Sequence, residues 1–335
     1  MAPKLFLTGT TGYIGGSVLN TIYTKHPNYD ITVLLRNPPA TFPSTYPNAK
    51  VIRGTYDDAE ILSAGAAEAD IVVHSGDSDH EPSIKALLSG LLSSATKDKP
   101  KYLIHLSGTG IVSDFLSLDY LGKKNPKVWS DVHDIDAIKT LPDNAIHRNV
   151  DKIILHAASE NSDRLKVAII CPPDIFGRGG GPGKTTSILA SFFVDEVKKL
   201  NHSFVVEEGE NIRSWVHISD LMKVYDSVVS AAAENPEKAE WGTYYFASTE
   251  EVSQKDFSVE AAKILKRHGI VQREEVESIG VDRVDTMVQH PVLPLLGRYL
   301  FASNSRTVPD RAKKLFGYAG EEHGLLDELE AELIG

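Results

Sequence analysis

Short apolar runs recur through the first half of the chain, at 4–7, 31–35, 51–52, 71–74, 102–106 and 167–171, and between them apolar residues fall at three- and four-residue spacings. Runs of this length predict strands, and the intervening spacing predicts helices near 13–25, 58–67, 82–95 and 144–160. Strand and helix alternating in this way imply a parallel sheet covered by helices on both faces, an α/β doubly wound architecture. Past Cys171 the pattern loosens into a glycine- and proline-rich loop at 172–183, then helix, a short strand near 204–206 and more helix. The chain is therefore read as a sheet domain over 1–172 and a smaller mixed α/β lobe over 173–335. A late return to the sheet is expected near 243–247, carried by Tyr244-Tyr245-Phe246.

The first strand runs straight into Thr8-Gly9-Thr10-Thr11-Gly12-Tyr13-Ile14-Gly15-Gly16 and then an amphipathic stretch. Strand, glycine loop and helix in that order suit a dinucleotide pyrophosphate. Gly9 permits the tight turn, Gly12 admits the phosphates to the backbone, and Gly15 lets the helix lie close on the strand. The free N–H groups around Thr11, Tyr13 and Ile14 then point at the negative charge. In an open sheet of this Rossmann type the ligand lies beyond the carboxyl ends of the strands, which marks Gly9, Arg36, Gly54, Ser75 with Gly76, Ser107 and Pro172. The second strand ends in Arg36-Asn37 rather than in an acid. A guanidinium suits a 2′-phosphate and offers a free ribose hydroxyl no acceptor, so NADP(H) is the expected cofactor; the alternative is an ordinary surface arginine. Thr55 and Tyr56 would border the adenine, and Asp57-Asp58 read as helix N-cap residues.

Composition narrows the partners. The 335 residues, 41% hydrophobic and 24% charged, describe a globular chain able to bury a full core. A net charge of -11 without a basic stripe argues against nucleic acid. No window reaches the roughly 18 apolar residues of a membrane helix, and no basic, apolar leader precedes the first strand, so the expected setting is cytoplasmic and membrane-free. The single Cys171 closes an apolar run and reads as a buried core thiol. Twelve scattered histidines include no zinc-binding spacing. Asp77-Ser78-Asp79-His80 and Asp131-Val132-His133-Asp134 read as solvated loops or helix caps. Gly183-Lys184-Thr185 mimics a nucleotide P-loop, but Arg178 stands where that loop requires glycine, and the segment reads as an entrance to the second lobe.

Several motifs, in order, resemble the extended short-chain dehydrogenase/reductase superfamily, which includes nucleotide-sugar epimerases and dehydratases. The glycine loop at 8–15 is one, and Asp70-Ile71-Val72-Val73-His74-Ser75-Gly76 is similar to the family's fourth strand and turn. Cys171-Pro172-Pro173-Asp174-Ile175-Phe176-Gly177 resembles the segment beside the nicotinamide, and Ser214-Trp215-Val216-His217-Ile218-Ser219-Asp220 a motif of the substrate lobe. Ser107-Gly108-Thr109-Gly110 with His147-Arg148-Asn149-Val150-Asp151 is similar to a fungal branch of NAD(P)-binding, NmrA-like proteins.

The resemblance implies a Tyr-x-x-x-Lys pair one helical turn apart, in which the lysine holds the nicotinamide ribose and lowers the tyrosine's pKa. The chain departs from it. Counting back from Cys171 puts Asn144 and Arg148 at the two positions, and a shift of three residues puts His147 and Asp151 there. Arg148 could hold ribose hydroxyls, or form a helix-surface salt bridge. His147 has the intrinsic pKa for acid–base work, or is a structural histidine. Tyr120-Leu121-Gly122-Lys123-Lys124 matches literally, but Gly122 and Asn125-Pro126 break any helix, so Tyr120 is a candidate proton donor on a loop at the pocket mouth. Thr109 is the candidate for a hydrogen bond to a substrate carbonyl, and Ser107 for a cofactor contact.

The leading expectation is an NADP(H)-dependent oxidoreductase acting on a small carbonyl, imine or related metabolite, with Thr109, Tyr120 and His147 as candidate catalytic residues. A non-catalytic NADP(H) redox sensor of NmrA-like type is the first alternative, and a nucleotide-sugar epimerase or dehydratase the second. Phe176, Phe192, Phe193, Trp215 and Tyr245 hint at an uncharged or aromatic small-molecule ligand, or form core. Monomer and homodimer both remain open.

Overall fold

Among the described residues fourteen strands follow the apolar runs and add several short ones: β1 (Lys4–Thr8), β2 (Asp30–Leu35), β3 (Lys50–Arg53), β4 (Ile71–His74), β5 (Lys101–Leu106), β6 (Trp129–Ser130), β7 (Leu165–Cys171), β8 (Asp174–Phe176), β9 (Ser203–Val206), β10 (Ile212–His217), β11 (Thr243–Phe246), β12 (Glu250–Ser253), β13 (Val276–Ile279) and β14 (Thr307–Val308). This is a computed structural model, and it describes residues 2–290 and 293–335. Seven strands form one sheet in the order β11-β7-β5-β4-β1-β2-β3, and every neighbouring pair is parallel. Parallel neighbours require crossovers, and helices supply them on both faces.

Alternate residues of each strand serve opposite faces. Leu5, Leu7, Val33, Ile104 and Tyr245 pack with Leu19 and Ile22 of the helix Tyr13–Lys25 and with Leu221, Tyr225 and Val228 of the helix Ile218–Glu234. Phe6, Val72, Leu103, Ile169 and Tyr244 pack with Leu62, Leu87, Leu91 and Ile154 from the helices Ala59–Glu68, Glu81–Ser94 and Arg148–Glu160. The chain order reverses at β1, which lies between β2 and β4, so a crevice opens beyond the carboxyl ends of β1 and β4.

A third core, built on Phe176, Phe193, Phe204, Trp215, Phe257 and Phe301, supports the smaller sheets β12-β10-β8 and β13-β9. Trp215 and Phe257 stack with ring centroids 6.0 Å apart. Phe176, Phe193, Trp215 and Tyr245 are at most 5% exposed, so these aromatics make core and give no ligand wall. Cys171 is buried and free, and burial raises its thiol well above the ordinary value.

Two helix starts differ from the sequence pattern for local reasons. The helix expected from 144 begins at Arg148, because His147 takes a left-handed conformation (φ 66) and the residues before it turn. Asp58 stands at the N-cap of Ala59–Glu68, but its carboxylate turns back to accept from Thr55 N (2.6 Å) and Oγ1 (2.9 Å). Among the described residues no helix is long and apolar enough to cross a membrane.

Candidate functional site

At the crevice the backbone does the shaping. Gly9 has φ +79, and a methyl there would overlap the Ser75 carbonyl, while one on Gly15 would overlap the Gly9 carbonyl. Gly12 is looser: its nearest neighbour would be Gly9 O at 3.2 Å. Gly12 N donates to Gly9 O (2.9 Å) and Gly16 N to Gly12 O (2.8 Å), which leaves the first-turn N–H groups of Tyr13 and Ile14 ahead of any helical acceptor. Tyr13 Oη is spent on Gly177 O (2.6 Å) and Lys184 N on Thr11 O (3.0 Å), so the glycine-rich segment after β8 lies along this helix start. Beside the loop is a cavity of about 150 Å³ lined by Gly9, Thr10, Thr11, Leu34, Leu35, Arg36, Gly54, Thr55 and Tyr56. Arg36 is exposed at its rim and Asn37, next in the chain, is exposed beyond it, whereas the Thr55 hydroxyl is held by Asp58. Tyr56 stands edge-on to His74 (5.7 Å), and its hydroxyl fills the space a side chain on Gly76 would need. A cradle that any Cβ would fill, next to a pocket rimmed by a free guanidinium, fits a dinucleotide.

The other end of the crevice is built by side chains. His147 Nδ1 lies 3.1 Å from both oxygens of Asp79, and Asn149 Nδ2 donates to Asp79 O (3.0 Å). The opposite nitrogen faces the turn after β5: a methyl on Gly108 would stand 3.0 Å from His147 Nε2. Burial opposes the imidazolium, but the hydrogen bond and charge of Asp79, with Asp151 and Asp77, outweigh it and raise the His147 pKa. A left-handed, non-glycine residue held by an acid at a crevice is strain with a reason to persist.

Most of the remaining sequence candidates have fixed commitments. Arg148 Nε and Nη2 donate to the carbonyls of Leu141 (3.1 Å) and Lys139 (2.5 Å). Asn144 is exposed. Ser107 Oγ points into the core and donates to Asp151 Oδ2 (2.8 Å). Thr109 N donates to Pro172 O (2.9 Å), and its hydroxyl lies 3.1 Å from Ser305 Oγ. Ser75 Oγ is buried without a partner. Tyr120 sits in a loop pinned to the second lobe, where Asn304 Nδ2 donates to the carbonyls of Tyr120 (3.2 Å) and Lys123 (3.0 Å) and Gly122 N to Ala302 O (2.8 Å). The rigid turn that a Tyr-x-x-x-Lys pair needs is absent from that loop.

Sequence reasoning missed what lies beneath. Thr8, His74 and His105 are in register across β1, β4 and β5; Thr8 Oγ1 meets His74 Nδ1 at 2.6 Å and the two imidazoles stack at 5.4 Å. Asp151 follows, its Oδ1 3.9 Å from His105 Nε2. All are buried, and burial lowers His74 to about 4, lowers His105 well below the usual range and raises Asp151 to about 7. A histidine in each of two apolar runs, closing one and next to last in the other, was the available signal. Asp79 had none, because its partner lies 68 residues away. Of the acidic clusters, Asp131 caps backbone, accepting from Phe246 N (2.8 Å) and Arg311 N (3.0 Å). Among the described residues no group of three metal-binding side chains occurs.

No family model matches the chain. It is 27% identical to the protein named oxidase ucsJ of an Acremonium species, over 98% of this chain and 96% of that one. Among solved structures it resembles dTDP-glucose 4,6-dehydratase of Bacillus anthracis, in complex with NAD, with a TM-score of 0.65 at 14% identity, covering 99% and 96% of the two chains. UDP-glucose 4-epimerase of Thermotoga maritima, with UDP-glucose, gives 0.62 at 14% identity over 98% and 97%. At these identities the likeness establishes the Rossmann-like α/β fold.

Proposed function

We propose that the protein is an NADP(H)-dependent oxidoreductase acting on a small carbonyl, imine or related metabolite. One observation carries this reading: the glycine cradle at one end of the crevice and an Asp79–His147 pair at the other, directed at Gly108. A nicotinamide bound there supplies or takes the hydride. The chain's residues do the rest. First-turn N–H groups bind the pyrophosphate, and Arg36 supplies charge for a 2′-phosphate. His147, whose pKa Asp79 raises, relays protons through Nε2 between solvent and the reacting substrate group. The hydrogen bond from Thr109 N to Pro172 O (2.9 Å) fixes the turn that carries Gly108.

The test is a titration with NADPH and NADH, followed by a screen of aldehydes, ketones and imines for loss of NADPH absorbance. NADPH is expected to bind more tightly than NADH, with Arg36→Ala reducing NADPH affinity about tenfold and leaving NADH unchanged. Unchanged preference in that variant refutes the role of Arg36. Tight binding of one redox form without turnover supports instead the NmrA-like sensor. Conversion of a nucleotide sugar without net NADPH consumption supports an epimerase or dehydratase.

A further inference from the structure

The turn Ser107-Gly108-Thr109-Gly110 has two glycines, and each vacancy is taken by a different polar group. A methyl on Gly108 would stand 3.0 Å from His147 Nε2, and one on Gly110 would stand 2.9 Å from Tyr299 Oη and 3.4 Å from Ile146 Cγ2. Two proton donors therefore flank Thr109, one from the start of the helix Arg148–Glu160 and one from the helix Leu296–Phe301 of the second lobe. Tyr299 is held firmly. Its ring packs edge-on to Phe115 (5.7 Å), and the Arg213 guanidinium lies 4.6 Å from the ring centroid. Arg213 is itself buried, bonded to both carboxylate oxygens of Asp174 and donating to Tyr299 O (2.9 Å).

We infer that Tyr299 is the relocated phenol of this site: a catalytic proton donor which, with His147, forms an oxyanion-binding pair for the oxygen of a carbonyl substrate carried on an apolar or aromatic body. This deepens the oxidoreductase reading and rests on it. The missing Tyr-x-x-x-Lys pair supplied a phenol with a cation beside it; Tyr299 and Arg213 restore that chemistry from the second lobe. As the carbonyl carbon accepts hydride, the C=O π pair moves to oxygen, which takes the proton from Tyr299 Oη. The phenolate left behind lies beside the Arg213 guanidinium, whose charge is shared with Asp174, and is reprotonated from solvent by way of the His147 imidazole. Burial raises the Tyr299 phenol, Arg213 opposes it and the charges of Asp174 and Asp79 add to the rise, so it enters the step protonated at neutral pH. Ile146 and the Tyr299 ring, both half-buried, give the substrate's body an apolar wall backed by the buried Phe115, which favours aryl or unsaturated carbonyls over polyols.

The assignment is tested with 4-nitrophenol, whose yellow phenolate mimics the developing oxyanion and whose binding needs no turnover. Titrations are run with and without NADP⁺ on the wild type, Tyr299→Phe and Gly110→Ala. The wild type is expected to bind the probe as the phenolate, and each variant to weaken it about tenfold or more while NADP⁺ affinity stays within twofold. Tyr299→Phe keeps the ring and its Phe115 and Arg213 contacts, and Gly110→Ala displaces the hydroxyl independently. On any carbonyl that turns over, Tyr299→Phe is expected to lower kcat about 100-fold with KM little changed. Full probe affinity in Tyr299→Phe, or no probe binding by the wild type, overturns the assignment while NADPH binding and turnover keep the oxidoreductase reading standing. Failure to bind NADPH overturns that reading, and with it the catalytic role.

Discussion

The two ends of the crevice are made of different material. The phosphate end is backbone: Gly9, Gly12 and Gly15 are three residues apart in sequence, and their work is to have no side chain. The proposed reaction end is side chains: His147 and Tyr299 stand against one turn, held by Asp79 and Arg213 from two further segments. A site built from a contiguous backbone tolerates little change and is written locally. A site built from distant side chains can be taken apart and rebuilt from other positions without disturbing the cradle, and here His147 Nε2 and Tyr299 Oη face Gly108 and Gly110 of one turn.

The largest expected effect comes from breaking the backbone end. Gly15→Ala drives a methyl into the Gly9 carbonyl, and NADPH affinity by fluorescence titration is expected to fall about 100-fold or more with a lower Tm. Wild-type binding in that variant would remove the distinction between the two ends.

The buried layer beneath the reaction end gives the next effect, read by urea unfolding at pH 4.5, 6.5 and 8. His74 titrates at about 4 when folded, so below the unfolded value of roughly 6.5 the unfolded chain binds more protons and stability falls on acidification, by about 2–3 kcal/mol. His105 acts in the same direction, and His105→Leu is expected to flatten this acid limb. Asp151 has the opposite sign. Its folded value of about 7 lies above the unfolded carboxyl, so its contribution to stability is lost as pH rises from roughly 4 to 7 and stays lost beyond. Asp151→Asn can still accept from Ser107 and is expected to be more stable than the wild type at pH 8 by about 1–3 kcal/mol, with a smaller difference at pH 4.5. Equal stability at both pH values contradicts an ionisable, desolvated Asp151.

A smaller effect sharpens the side-chain end. Asp79→Asn removes the charge that raises His147, so its imidazole is expected to titrate at lower pH by histidine NMR and activity near neutrality to drop about tenfold. The Asp79–His147 link also stabilises most when the imidazole is charged, so its contribution fades as pH rises through the raised value, and Asp79→Asn should lose that dependence. The smallest is Tyr120→Phe. Its loop is anchored by Asn304 rather than by the reaction end, and less than about a twofold change in turnover is expected. A large loss would return the proton donor to the literal Tyr-x-x-x-Lys match.

What the amino-acid order determined by itself was the sheet and the cradle. Apolar runs and glycine spacing act over a few residues, so the doubly wound fold, the helices at 13–25 and 82–95 and the positions of Gly9, Gly12, Gly15 and Arg36 were legible without coordinates. Tertiary structure decided everything that depends on long-range meeting: that Ser107 turns inward to Asp151, that Arg148 caps carbonyls at 139 and 141, that Asp79 orients His147, and that Tyr299 enters the vacancy at Gly110. The reason is physical. Local periodicity encodes which face of an element is buried, but a side-chain constellation is set by the packing of whole elements against one another, and no short window of sequence carries that distance.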